Sequence, residues 1–277
     1  PSQEPLVLGE FDRFGGVEVT LTDAAAGGAT AQFDRELRES LAKWKEVDKK
    51  GVWLKVPLSC AHFVAPAAAS GFRFHHAMPE YVSLTKWLPD PDLPQDKVPL
   101  PKYAFTQIGV GGIVVNSAGE VLMVQERVSP LPQFQDQWKL PGGLADPGEE
   151  FAATAAREVE EETGVKTSLI GLVSLRHSHG YRFGQGDIYC LAKLKAETED
   201  IVMCEHELKG ARWMSLDTIK ALVKEGPPPP EGWGPEGAVS ANNWKMISNA
   251  FGPLIEGTPL PASRGLGVSM LYTAPKL

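Results

Sequence analysis

The sequence predicts an α/β protein of two domains with a C-terminal extension, and three observations carry that prediction. Stretches with helical and with strand periodicity alternate along the chain. A run with four prolines and four charges, Asp90–Pro101 (DPDLPQDKVPLP), divides them and reads as a linker. A length of 277 residues at 43% hydrophobic and 22% charged content leaves ample core for one large or two modest domains. The division is an N-terminal α/β domain over 1–97, a linker at 90–102, a second α/β domain over 103–225, and a Pro-rich extension with a short helix over 226–277.

The first domain follows from its patterns in order. Val17–Leu21 alternates as a strand does. Ala24–Thr30 is small and Gly-rich, a loop. From Asp34 to Lys50, Leu37, Leu41, Trp44 and Val47 recur at three- and four-residue steps among charges, which predicts an amphipathic helix ending near Gly51. Val52–Val56 is a strand. Cys60–Ser70 is Ala-rich and helical, with Pro66 expected to kink or break it. Phe72–His75 and Tyr81–Trp87 are two further strands. His75 and His76 invite a metal reading, but no carboxylate or cysteine stands at ligand spacing. Neighbouring strand residues also face opposite ways, so a structural role is expected.

In the second domain Ala104–Val115 reads as a strand interrupted around Gly109, Gly111 and Gly112. Asn116–Gly119 turns the chain into a strand over Glu120–Gln125. Val128–Gln137 is a loop, and Trp138 is read as a core residue. Ser168–Arg176 and Asp187–Leu194 pair across the loop His177–Gly186. That loop, with Arg176, Arg182, two histidines and two aromatics in or beside it, either contacts a base and a diphosphate or is a polar hairpin turn. Ala211–Leu216 is a late strand, with Glu205 and Glu207 just upstream. Ser215–Lys224 is a closing helix on Leu216, Ile219 and Val223. Gly226–Gly237 holds four consecutive prolines and should be extended, as a spacer or as a ligand for an aromatic groove. Ser240–Phe251 restores a helical stripe through Trp244, Ile247 and Phe251. If this tail only docks, on its own domains or on a partner, deleting 226–277 spares catalysis. Residues 257–277 carry no readable pattern.

The densest chemistry lies in Gly143–Val165 (GLADPGEEFAATAAREVEEETGV). Asp146-Pro147 reads as a helix start. Phe151, Ala152, Ala155, Ala156 and Val159 supply a buried stripe, and Gly164 stops the helix. Glu158, Glu161 and Glu162 stand at i, i+3 and i+4, so their carboxylates share one face. Two such charges ~4 Å apart repel by about 4 kcal/mol at an effective dielectric near ~20. A divalent cation reverses that sign, and hard oxygens suit Mg²⁺ or Mn²⁺. Arg157, eight residues after Glu149, can pair with it and brace the loop against the helix. Gly142 and Gly143 after Pro141 let the backbone turn tightly and approach a ligand. Three glutamates alone read first as a solvated acidic face, since such faces are common on helices. The full spacing decides against that: Gly, five residues, Glu, seven residues, then Arg-Glu-apolar-x-Glu-Glu-x-Gly-apolar.

At every specified position this pattern resembles the signature of the Nudix hydrolases. The resemblance implies an α/β/α sandwich with a mixed sheet. It also implies cleavage of the pyrophosphate in a nucleoside diphosphate linked to another group. It casts Glu158, Glu161 and Glu162 as metal ligands, the Gly143 carbonyl as a further one, and Arg157 and Glu149 as braces of the platform. Mg²⁺ or Mn²⁺ would polarise the diphosphate, steady the leaving phosphate and help deprotonate the attacking water. The general base varies in the family between a box glutamate and one from a later loop. Glu207 fits the later place better than Glu205, with a solvated loop as the alternative. Arg176 and Arg182 are the candidate contacts to the nucleotide.

A second stretch, Gly71–Pro89 (GFRFHHAMPEYVSLTKWLP), is similar to the segment preceding the Nudix fold in a plant and animal branch that carries an extra N-terminal domain. Its best-known plant members act on ADP-ribose and NADH. Met78 stands where an acidic residue is expected, and the SQPWPFPxS element of one NADH-hydrolysing branch is absent. The implied function is metal-dependent hydrolysis of ADP-ribose or NADH with release of AMP. The alternative is an interaction or scaffold protein that keeps a Nudix fold within a larger assembly. The N-terminal domain or the Pro-rich tail would then serve a homodimer or a protein partner.

Bulk chemistry agrees with a small-molecule substrate. The net charge of −8 argues against a nucleic-acid footprint but allows a local basic pocket for a nucleotide diphosphate. Three cysteines, Cys60, Cys190 and Cys204, are odd in number and lack CxxC pairing. Reduced thiols in an intracellular compartment are expected, with cytosol, mitochondrion and plastid not distinguished. No run of 18 apolar residues occurs, so no membrane insertion is expected. A chain that starts at Pro1 without methionine is expected to be a processed or trimmed piece of a precursor.

Overall fold

Apolar residues at alternate strand positions and along two helices close the first of three hydrophobic interiors. The computed structural model describes residues 5–90, 92–129, 132–180, 182–226, 234, 236–260 and 269–273. The chain divides into units Pro1–Ala104 and Phe105–Leu277. In the first, β1 (Gly9–Phe11), β2 (Val17–Thr20), helix α1 (Thr30–Glu46), β3 (Gly51–Pro57), α2 (Val64–Ala69), β4 (Arg73–Met78) and β5 (Tyr81–Trp87) follow in order. The sheet order is β1-β2-β3-β5-β4, with β2 and β3 parallel. Val17, Val19, Val52, Leu54 and Leu84 bury against Phe33, Leu37, Phe63 and Ala67, and Phe33 stacks on Phe63 at 4.4 Å. The buried thiol of Cys60 belongs to this interior.

Three local expectations change here. Helix α1 begins a turn earlier than Asp34, because Phe33 extends the apolar stripe backwards into the core. Pro66 does not break α2. It sits in the helix's first turn, where its missing N–H has no intrahelical partner to lose. His75 and His76 do not face opposite ways. A β-bulge falls between Phe74 and His76, and it brings their Nδ1 atoms to 2.7 Å. His75 Nε2 also contacts the Pro101 carbonyl at 2.9 Å, and His76 stacks on Tyr103 at 4.3 Å.

The second unit opens with β6 (Thr106–Val115), β7 (Val121–Glu126), β8 (Trp138–Lys139), β9 (Gly142–Leu144) and α3 (Phe151–Thr163). Strands β10 (Thr167–Ser178), β11 (Gly186–Ala196) and β12 (Leu208–Met214) follow, then α4 (Leu216–Ala221), β13 (Val223–Lys224), β14 (Val239–Ser240), α5 (Ala241–Asn249), β15 (Glu256–Leu260) and β16 (Ser269–Thr273). The main sheet runs β10-β11-β6-β7-β12, with β6 and β11 parallel and β8 and β9 attached to β7 and β6. Alternate residues of β6 feed two interiors. Val110 and Val114 pack with Ala155 and Val159 of α3 and with Cys190, while Ile113 packs with Ile219 of α4 and Ile247 of α5. This is an α/β/α sandwich around a mixed sheet.

Strand β6 is not interrupted at its glycines. A Cβ on Gly112 would stand 2.8 Å from Val159, and one on Gly111 would overlap the Tyr189 hydroxyl. These glycines admit neighbours to the strand rather than ending it. The closing helix is shorter than expected, since Val223-Lys224 joins β14 as a short parallel pair. The Pro-rich stretch lies largely outside the described residues. Two antiparallel strands, β15 and β16, occupy the stretch where no pattern was readable, and Tyr272 stacks on Phe151 at 5.6 Å. Among the described residues no helix is long and apolar enough to cross a membrane.

The extension does not stand apart. Val239, Ile247 and Ala250 are fully buried in the core of the second unit, and Ser240 caps α5 by accepting from the Asn243 N–H at 3.2 Å. Deletion of 226–277 is therefore expected to abolish the cooperative thermal transition of the second unit, and Ile247→Ala to cost about 2–5 kcal/mol. Calorimetry checks both. A truncated protein with an unchanged transition would show that α5 is dispensable to the core.

Candidate functional site

The site is built where β9 passes beneath α3. Gly142 and Gly143 pair with Gly111 and Val110 of β6. Gly142 has φ +150°, and a Cβ there would overlap the Val110 carbonyl. A Cβ on Gly143 would lie 2.6 Å from the Glu158 carboxylate. Only a backbone without side chains brings this strand so close to the helix.

Helix α3 starts later than Asp146. Gly148 at φ +89° and the bond from Glu149 N–H to the Asp146 carbonyl form a turn first, and Glu150 is the N-cap residue. The apolar seam is Ala155 and Val159, joined by buried Thr154, Glu162 and Thr163. Gly164 ends the helix at φ +70°.

One guanidinium organises the acids. Arg157 donates from Nε to Glu149 Oε1 at 2.7 Å and from Nη2 to Glu149 Oε2 at 2.9 Å, a bidentate pair. Nη2 also donates to the Leu144 carbonyl at 3.2 Å. Nη1 donates to Glu158 Oε1 at 2.9 Å and to Glu161 Oε2 at 3.0 Å. Glu149 accepts further bonds from Asp146 N–H and Thr154 Oγ1, both at 3.0 Å. The Arg157 bond first, then the Asp146 N–H, hold its carboxyl down at about 2. The bond to Glu149 first, then those to Glu158 and Glu161, raise the pKa of Arg157.

Glu158, Glu162 and Glu207 line one cleft of about 520 Å³, with Lys139, Gly143 and Arg157. Burial pushes the Glu162 carboxyl up to about 7, opposed by Lys139 and reinforced by Glu158 and Glu207. Burial also raises Glu158, against the pull of Arg157. Among the described residues Glu162 Oε2 is buried without a hydrogen-bond partner. Glu161 stands at the rim with its side chain 58% exposed. Among the described residues no three His, Cys, Asp or Glu groups are gathered as a metal cage. Arg157 Nη1 engages the Glu158 and Glu161 oxygens instead.

The donor set nevertheless fits a hard divalent cation. It consists of carboxylate oxygens and the neighbouring Gly143 carbonyl, with one buried oxygen unpartnered. Only Nη1 of Arg157 is engaged with this cluster. Its Nε and Nη2 are committed to Glu149 and Leu144.

The two arginines part company. Arg176 reaches Asp187 Oδ2 at 3.4 Å, lies 5.0 Å over the Tyr189 ring, and lines a second recess beside Gly142. Arg182 sits exposed on a turn whose next residue, Phe183, has φ +56° and is 94% exposed. It is not among the residues lining either hollow. Tyr181 lies outside the described residues. Trp138 is buried, with its indole N–H on the Glu236 carbonyl at 3.3 Å. Sequence reasoning missed Lys139, bound to Glu126 at 2.5 Å. Its signal was a lone cation alternating with Trp138 just before the paired glycines.

Family models match the chain twice, a Nudix hydrolase domain over residues 8–88 and a NUDIX domain over residues 105–233. Nucleoside diphosphate-linked moiety X motif 6 of Mus musculus is 40% identical over 216 residues, 76% of this chain and 66% of its own length. Nudix hydrolase 8 of Arabidopsis thaliana is 40% identical over 66% of this chain and 48% of its own. Nudix hydrolase 7 of Arabidopsis thaliana is 38% identical over 77% of this chain and 73% of its own. The chain thus spans between half and three-quarters of these relatives. Among solved structures, a MutT NUDIX hydrolase from Burkholderia pseudomallei aligns at TM-score 0.39 and 19% identity over 52% of this chain and 97% of its own, too distant to bear on substrate.

The buried acid makes a stability prediction for metal-free protein. Glu162 titrates at about 7 when folded against 4.5 unfolded, so its ionisation opposes folding progressively as pH rises between those values. Glu162→Gln removes that penalty. It should match wild type below the window and exceed it above pH 7, by at most about 3 kcal/mol. Thermal melts in EDTA across the range check this. A difference independent of pH would show that Glu162 is not held neutral.

Proposed function

From the premise that the chain belongs to the Nudix hydrolase family, we propose that it hydrolyses the pyrophosphate bond of a nucleoside diphosphate joined to another group, with ADP-ribose or NADH foremost. The observation that carries the reading is the cleft lined by Glu158, Glu162, Glu207 and Lys139, in which Glu162 Oε2 is buried without a hydrogen-bond partner among the described residues. ADP-ribose and NADH enter through the resemblance of the Gly71–Pro89 stretch to the branch with an extra N-terminal domain.

Glu158, Glu161, Glu162 and the Gly143 carbonyl would hold Mg²⁺ or Mn²⁺. When bound, the ion supplies Lewis-acid polarisation of the phosphoryl oxygens and charge neutralisation of the leaving phosphate. Arg157 and Glu149 keep the loop before α3 fixed against that helix, so the acids stay in register. Lys139 offers a cation to a phosphate oxygen in the cleft. Glu207, on the segment before β12, accepts a proton from the attacking water at its carboxylate. Water adds at one phosphorus, the bridging P–O bond breaks, and its electron pair leaves with the second phosphate. From ADP-ribose the products are AMP and ribose 5-phosphate.

Purified protein incubated with ADP-ribose, NADH, NAD⁺, coenzyme A, FAD, nucleoside triphosphates and capped RNA should release AMP from ADP-ribose or NADH only with Mg²⁺ or Mn²⁺. Glu161→Gln should lower kcat at least ~100-fold, since it removes a carboxylate that would hold the cation polarising the reacting phosphate, with the melting temperature retained. Cleavage of another panel member would keep the chemistry and replace the substrate. No turnover by folded, metal-binding protein would leave a binding module on a Nudix fold.

A further inference from the structure

The acidic cleft is half of a larger hollow. A second recess of about 340 Å³ shares Glu126, Lys139 and Gly142 with it. The two are therefore one continuous surface, divided at the Lys139–Glu126 ion pair. Their chemistry differs. The second half carries the half-exposed ring of Phe134, the half-buried Met246 and the amide of Asn243. Its charges are matched, Lys139 with Glu126 and Arg176 with Asp187, so nothing in it repels an anionic ester as the carboxylates opposite do. Ser129 lines the same recess with its hydroxyl buried and without a partner among the described residues. Among those residues the Asn243 side-chain amide has no hydrogen-bond partner, while its backbone N–H donates to the Ser240 hydroxyl, which leaves the amide for a ligand.

Ser240, Asn243 and Met246 lie beyond residue 233, where the family match ends. We propose that this C-terminal segment builds the substrate-recognition half of the site. The recess holds a nucleoside end of the substrate, with its ring between Phe134 and Met246 and its polar edge on Asn243. Lys139 exchanges Glu126 for the phosphate that leads into the acidic cleft. Apolar side chains set among polar ones, here Phe134 and Met246 beside Asn243, Ser129 and Gln137, suit a flat heterocycle carried on a sugar. The inference rests on the hydrolase reading for the identity of the diphosphate, but its binding half is testable alone.

Calorimetric titration with the uncleavable α,β-methylene analogue of ADP-ribose is the test, on wild type, Met246→Trp, which fills the recess, and Asn243→Leu, which removes the amide. Each variant should weaken binding at least tenfold and raise KM on the hydrolysed substrate by a like factor. The kcat should stay within threefold and Mn²⁺ binding by paramagnetic resonance should be unchanged. Should Met246→Trp melt early, Asn243→Leu carries the decision. Wild-type affinity and KM in folded variants, or no binding of the analogue by wild type, would overturn the proposal. Binding that responds to both substitutions in a protein that hydrolyses nothing would sustain the recess and remove the hydrolase reading.

Discussion

The guanidinium of Arg157 is the point on which the site depends. Its bonds join the loop before α3, the helix itself and three carboxylates that would otherwise repel one another. Its fork ties Glu149, five residues past the paired glycines' strand, to a helix position two turns further on. Its remaining nitrogen offsets the repulsion between Glu158 and Glu161. The pair with Glu149 is bidentate and less than one-third exposed, the setting in which an ion pair contributes more than an ordinary surface contact. Thr154 and the Asp146 N–H complete the coordination of Glu149, so the brace is fixed from both sides.

The second constraint is steric. Three elements approach β6 more closely than side chains allow: β9, α3 and the Tyr189 side chain from β11. Gly109, Gly111 and Gly112 of the strand and Gly142 and Gly143 of its neighbour make that possible. The result sets a buried acid, Glu162, within a cleft also reached by Lys139 from β8 and Glu207 from the segment before β12. Burial then does what spacing alone does not: it separates Glu162, held near neutrality, from Glu149, held strongly acidic, although both belong to the same short stretch.

Much of this was legible in the chain, because it is local. The helix stripe, the glutamate triplet, the Glu149–Arg157 step and the Gly164 stop are all set by residues within one stretch. What escaped depends on contacts between distant residues. The continuity of β6 through its glycines is decided by Tyr189 and Val159. The convergence of His75 and His76 is decided by a bulge that a two-residue period does not reveal. The role of α5 in the core, and the recess it lines with Lys139 and Arg176, join residues a hundred apart. The exposed turn at Arg182 shows the converse: composition gathered an arginine, histidines and aromatics in one loop, and the backbone left that arginine outside both hollows.

Cys60 and Cys190 are each sealed in a different interior, one per unit, while Cys204 is half-buried. Burial holds the Cys190 thiol up at about 12, far from the thiolate that alkylating reagents need. Its modification must therefore wait for the sheet and α3 to separate, and that of Cys60 for the first unit's helices to lift. The chain carries two internal clocks, whose labelling rates time the opening of each half independently, without any probe being added.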